Sequence, residues 1–195
     1  ARQEIYLSNI KWNHWDMKGG LRNEIMNVRN VKSEQIIGDY DFGQLSNDFI
    51  SLFAEADTYT FDDGYFPTRG VDAGVSYSWV FGGFPYSFNN FHMVRADAKV
   101  VVHSGDVFAF IPSIDFRFLF GDEIPVAYFN AMGGSLPGRY VEQQMPFVGA
   151  NHLSAMKNIL TLFRTDFRFT VAKNHYLTGI VNYVRDCDYF SEYTV

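Results

Sequence analysis

Cysteine is nearly missing from this chain: Cys187 stands alone among 195 residues. That excludes a disulfide framework and a cysteine-based metal site. Charge is sparse too, at 19% of residues, against roughly 25% in soluble globular proteins. The formal net charge of -6 comes without a basic cluster, so nothing here is suited to grip nucleic acid. No apolar run approaches the roughly 18 residues of a membrane-crossing helix, and Ala1 opens no signal peptide. Helical periodicity, linkers and a composition shift are also lacking, so residues 1–195 read as one domain. None of this bears on a β-barrel, whose strands cross a membrane with only about 9–11 alternating residues.

What the chain has in plenty is aromatic side chains, with Phe 20 and Tyr 12, and most recur with period 2. Ile50, Leu52, Ala54 and Ala56 share one face, with Ser51, Glu55 and Asp57 on the other. Val71, Ala73, Val75, Tyr77, Trp79 and Phe81 alternate with Asp72, Gly74, Ser76 and Ser78. The same grammar returns at Val94–His103, Val107–Phe120, Ile159–Val171 and Tyr176–Arg185, with turn residues between. Such alternation with short turns predicts consecutive antiparallel strands, roughly eight to ten at the lengths usual in barrels. The first 49 residues are less legible. Arg2–Trp15 has β character without clean alternation, and strand candidates around 22–28 and 35–41 sit in a polar, glycine-punctuated stretch.

Alternation alone fits two opposite structures. A soluble barrel or sandwich turns its apolar face inward, whereas an outer-membrane barrel turns it to lipid and keeps a polar lumen. The apolar faces here carry no charge and are repetitively aromatic, which suits lipid better than a tapered interior. Their opposite faces mix signs closely (Arg95, Asp97 and Lys99; Asp115 and Arg117; Arg164, Asp166 and Arg168), as a crowded polar interior needs if its charges are to be paired.

Two further stretches carry a resemblance. The turn Asp62-Asp63-Gly64-Tyr65-Phe66-Pro67-Thr68-Arg69-Gly70 and the long connection holding Gly133-Gly134, Gly138-Arg139-Tyr140 and Pro146-Phe147-Val148-Gly149 resemble motifs of the outer-membrane surface-antigen superfamily. That group includes assembly factors, two-partner secretion transporters and the C-terminal barrel of patatin-like phospholipases. The resemblance runs from about Ile50 to Phe190. It implies an all-β, antiparallel transmembrane β-barrel in the bacterial outer membrane, with a long loop folded into the lumen. The superfamily's loop tip reads Arg-Gly-aromatic, while here the order is Gly138-Arg139-Tyr140, a variant most like the patatin-linked barrels. Those have roughly sixteen strands, so the chain is expected to be an incomplete barrel, and Tyr193-Thr194-Val195 is not the closing aromatic strand of the group.

The functional loop is therefore expected at Gly133, Gly134, Gly138, Arg139 and Tyr140. Arg139 either points to solvent or docks on a carboxylate of the wall, for which Asp115, Asp166 and Asp186 are candidates. The expected role is to anchor or translocate an attached patatin-like domain. An assembly or secretion pore of the same superfamily, and a soluble barrel binding an apolar ligand, are the alternatives. The partners would be the lipid bilayer and an attached or transported polypeptide. Catalysis is not expected within this segment: Gly133-Gly134-Ser135-Leu136-Pro137 lacks the final glycine and the following helix of a nucleophile elbow. The five histidines have no zinc spacing and read as turn or lumen residues. Asp62-Asp63 lacks the spaced oxygens of a calcium loop. No cofactor is implied.

Overall fold

The computed structural model describes residues 2–28, 45–84, 90–105, 107–122, 124–125, 128–134, 144–151, 154–173, 175–189 and 192. Long strands dominate: β1 (Arg2–Trp12), β2 (Trp15–Val28), β3 (Leu45–Tyr59), β4 (Gly70–Phe84), β5 (Asn90–Ser104), β6 (Phe108–Asp122), β10 (Ile159–Ala172) and β11 (His175–Cys187). Between β6 and β10 lie three short strands, β7 (Asn130–Met132), β8 (Gln144–Met145) and β9 (Ala155–Lys157). The eight long strands form one sheet in the order β1-β2-β3-β4-β5-β6-β10-β11, and the short ones form a second, β8-β7-β9. All pairs of the large sheet are antiparallel. The six spans expected from alternation each fall on a long strand, except that Thr60, Phe61 and Val107 at their edges lie in turns rather than in β3 or β6.

Register separates the two faces. Val75, Val100, Phe116, Phe118, Phe167 and Phe169 lie on the side opposite to Asp97, Asp115, Arg117 and Arg168. The apolar side is the outer one: Leu52, Val75, Tyr77, Val102, Phe163 and Phe169 are exposed, and Phe116, Phe118 and Phe167 are half-buried against one another and their neighbours. A soluble barrel would bury this set, so the soluble-binder alternative fails. The charged side is the concave one, where Arg22, Arg117 and Arg168 are buried.

One unassigned stretch proves to be strand, and one expectation needs correction. Residues 16–21, in which alternation marks no strand, are the first half of β2, paired from Trp12↔Trp15 to Arg2↔Glu24 with β1. A Cβ on Gly20 would lie 2.1 Å from the Ile5 carbonyl oxygen, so glycine there lets the strands close and at the same time erases the alternation. His92 is not a lumen residue. It pairs with Trp79 on the outer face, accepts or donates a 2.8 Å hydrogen bond with Tyr77 and stacks on Phe120, as an amphipathic ring does at a membrane boundary. The candidate strand at 35–41 lies outside the described residues.

Candidate functional site

The lumen is built from alternate residues of each wall strand, and its charges are neutralised both along and across strands. Arg95 stands opposite Arg117 and Asp97 opposite Asp115, like-signed pairs that repel when directly opposed. Each arginine turns instead to the aspartate two residues away. Arg95 Nε reaches Asp97 at 3.1 Å, Arg117 Nε reaches Asp115 at 3.4 Å, and Arg164 holds Asp166 with bonds of 2.6 and 2.9 Å. On the β1–β3 side a denser knot forms. The buried Arg22 donates to Glu4 at 2.7 Å and to Glu55 at 2.6 Å, lies 4.3 Å over the Phe53 ring, and Lys18 adds a 2.7 Å pair with Glu55. Between wall and loop a polar cavity of about 1000 Å³ is lined by Asp57, Asp72, Arg95, Asp97 and Lys99, among others.

Into this lumen folds the connection between β6 and β10, and it grips both sides. At its start Tyr128 is sealed against Phe49, Val80 and Phe91, with its ring at 5.0 Å from Phe49 and 4.9 Å from Phe91. Its hydroxyl donates to Glu24 on β2 at 3.0 Å, and burial, followed by the Glu24 charge, pushes this phenol's pKa upward and keeps its proton in place. At the opposite wall Met132 and Met145 pack on Leu160 and Leu162 of β10, with Phe147 and Val184 beside them. Arg117 donates to the Gln144 carbonyl at 3.3 Å, and Asn182 of β11 donates to the Val148 carbonyl at 3.0 Å. Gly133 (φ 139°) and Gly134 (φ 78°) turn the backbone where few other residues could. Gly133 N–H donates to Met145 O at 3.0 Å, and Gln144 returns a 2.6 Å bond to Gly133 O.

Of the expected site residues, Gly133 and Gly134 thus shape the inward fold, whereas Gly138, Arg139 and Tyr140 lie outside the described residues. Asp115 and Asp166 are already held by Arg117 and Arg164. Asp186 is exposed, opposite Leu160 on the same side as Val184. Among the described residues no three histidine, cysteine, aspartate or glutamate side chains converge as metal ligands.

An arrangement not foreseen sits at the other mouth. Asp62 accepts from Thr68 N at 2.8 Å, Thr68 Oγ1 at 2.5 Å and Arg69 N at 3.2 Å, and Asp63 accepts from Tyr65 N and Phe66 N. The Thr68 hydroxyl, then its amide, holds the exposed Asp62 carboxyl down at about 2, and the Phe66 and Tyr65 amides lower Asp63. So braced, the 60–69 turn folds inward. Phe61 packs on Val101, Ala109 and Ile111 of β5 and β6. Phe66 stacks on Tyr176 of β11 with centroids 4.3 Å apart, and the buried Arg168 of β10 donates to the Pro67 carbonyl.

The charged lumen, the apolar outer face and the loop folded within are features of an outer-membrane barrel, and the family comparison agrees over residues 1–193, which match the OMP85 superfamily. The chain belongs to the OMP85 superfamily. It is a transmembrane β-barrel segment of the bacterial outer membrane, within a superfamily of polypeptide assembly and secretion. No curated protein matches the chain. Among solved structures it is similar in fold to BamA from Haemophilus ducreyi lacking POTRA domains 1-3, with a TM-score of 0.69 at 14% identity. That match covers 99% of this chain and 42% of the other, so the chain spans about two fifths of that protein's length. Connections 13–14, 105–107 and 173–174 are short, while 29–44 and 123–158 at the opposite rim are long. In OMP85 barrels as in other bacterial ones, short turns face the periplasm.

Proposed function

We propose that this OMP85 chain forms part of a barrel that anchors an attached domain, of patatin-like type, and moves a segment of it across the outer membrane. The observation that carries the reading is the tying of the β6–β10 connection to both walls of a charged lumen. Tyr128 holds one side, and Arg117 and Asn182 hold the other through backbone carbonyls. Such a lumen accepts an extended polypeptide by trading one set of backbone and charge contacts for another. The Gly138-Arg139-Tyr140 order supports the patatin-linked form. Arg139 docks on the lumen wall in this reading, and Asp186 is the preferred partner. Taking Asp166 from Arg164 would strand a partly buried charge, at a cost of about 3–5 kcal/mol.

The superfamily fold favours a second reading, a pore that assembles or secretes other polypeptides. One experiment separates them. In cells making the full-length protein, the attached domain should become accessible to protease added outside, and Arg139→Ala should reduce that exposure with the barrel still in the outer membrane. Depletion that instead strips the membrane of other barrels, with no attached domain exported, would decide for the assembly pore.

A further inference from the structure

The 60–69 turn does more than join β3 to β4. Its neighbours in sequence pair with β2 and β5, yet its contacts lie on β5, β6, β10 and β11. Reaching them takes it over the lumen face of the sheet at the short-turn end. Val101, Ala109 and Ile111 are buried beneath Phe61, and Pro67 is itself buried. Arg168 is the hook. Its guanidinium lies 5.9 Å from the Phe66 centroid and 5.5 Å from that of Tyr176 while a terminal nitrogen binds the Pro67 carbonyl. A planar cation stacked beside two rings and bonded to a carbonyl is a use of arginine that lysine reproduces poorly. The bracing by Asp62 and Asp63 gives the turn a fixed shape, as expected of a part that seats in one place. Tyr65, 90% exposed at the tip, is open to anything approaching from that side.

We propose that the 60–69 turn is a stopper for the short-turn mouth of the lumen, hooked to the far wall by Arg168 and Tyr176. It must unhook before a polypeptide segment enters from that side. It is separate from the inward loop, which occupies the lumen from the other rim, and it holds for either reading of the transported chain.

The test is thiol labelling of the full-length protein in a Cys187→Ser background. Ala109→Cys places a thiol on β6 directly across from Arg168, under the turn. Val107→Cys, at an exposed position on the adjoining connection, is the reference. A hydrophilic maleimide should modify position 107 quickly and position 109 slowly. Phe66→Ala, Tyr176→Ala or Arg168→Lys should each speed labelling at 109 by at least ~10-fold, which corresponds to about 1.4 kcal/mol of lost opening cost, and leave 107 unchanged. Should Ala109→Cys fail to fold, Val101→Cys on the neighbouring strand reports the same cover. Equal rates at 109 and 107 in the parent, or no acceleration in any of the three variants, would overturn the proposal. Because nothing is transported in this measurement, its failure leaves the proposed export function untouched.

Discussion

Tyr128→Phe isolates the hydrogen bond that fastens the loop to β2. The ring keeps its contacts with Phe49 and Phe91, and only the 3.0 Å bond to Glu24 is lost. A hydrogen bond to a charged group contributes about 1.5–3 kcal/mol. Glu24 keeps its ion pair with Arg2, whose Nε lies 3.7 Å away, in the variant as in the parent. If local opening governs cleavage, that loss raises proteolysis within 123–158 by roughly 10- to 100-fold. Tyr128→Ala also removes a fully buried ring and should cost about 3–5 kcal/mol more. The assay is native-state proteolysis of the purified full-length protein, with cleavage sites identified by mass spectrometry. Glu24→Gln completes a double-mutant cycle with Tyr128→Phe, and the two effects should be far from additive. Parent-like cleavage in Tyr128→Phe, or additive effects in the cycle, would refute the idea that this bond fastens the loop.

Other outcomes follow from the same geometry. Phe167→Arg puts a charge on the lipid face in the middle of β10 and should destabilise the barrel by about 2–4 kcal/mol in reversible unfolding from vesicles; a cost near zero would mean this face does not meet lipid. Gly20→Ala drives a Cβ to 2.1 Å from the Ile5 carbonyl oxygen and 2.6 Å from Tyr6 Cα, so β1 should detach, seen as fast amide exchange over 2–12. Asp62 has a folded pKa depressed to about 2 from an ordinary aspartate value near ~3.9. Its bracing of the turn is therefore complete above about pH 4 and is lost as pH falls toward 2. Labelling at Ala109→Cys, corrected with the Val107→Cys rate, should accelerate across that window, and in Asp62→Ala it should be fast at every pH.

Period-2 alternation was a sufficient signal wherever a strand meets lipid on one side and charge on the other, as in β4 to β6 and β10. It failed at β2 for a physical reason. Gly19 and Gly20 lie opposite Leu7 and Tyr6 and carry no side chain to mark a face; at Gly20 the close approach of β1 leaves no room for one. β1 failed differently, because its pairing shifts between Leu7 and Ile10 around Asn9 at φ 65°. A bulge of this kind moves later residues to the other face and breaks the apparent period. The inward course of the β6–β10 connection was foreshadowed by its length and glycines, but its anchors were not. Tyr128 owes its role to Glu24, 104 residues earlier, and no local pattern links the two.

Arg168 could have been found by counting charges. On β10 the lumen face carries Arg164, Asp166 and Arg168, two cations for one carboxylate, and the structure gives that carboxylate wholly to Arg164 through two bonds. A buried cation left over on a strand must find acceptors from another element, since an uncompensated charge away from water is too costly to persist. The Pro67 carbonyl and the Phe66 ring of the aromatic turn meet that need, and the Asp63 carboxylate in the same turn adds a longer-range attraction to Arg168. The sequence Tyr65-Phe66-Pro67 supplies both, one carbonyl and one ring, in adjacent residues. The turn and the surplus arginine therefore explain each other: the turn needs a hook to hold its inward fold, and Arg168 needs an acceptor. Loss of either should leave the other unsatisfied, so the labelling responses of Phe66→Ala and Arg168→Lys should overlap rather than add.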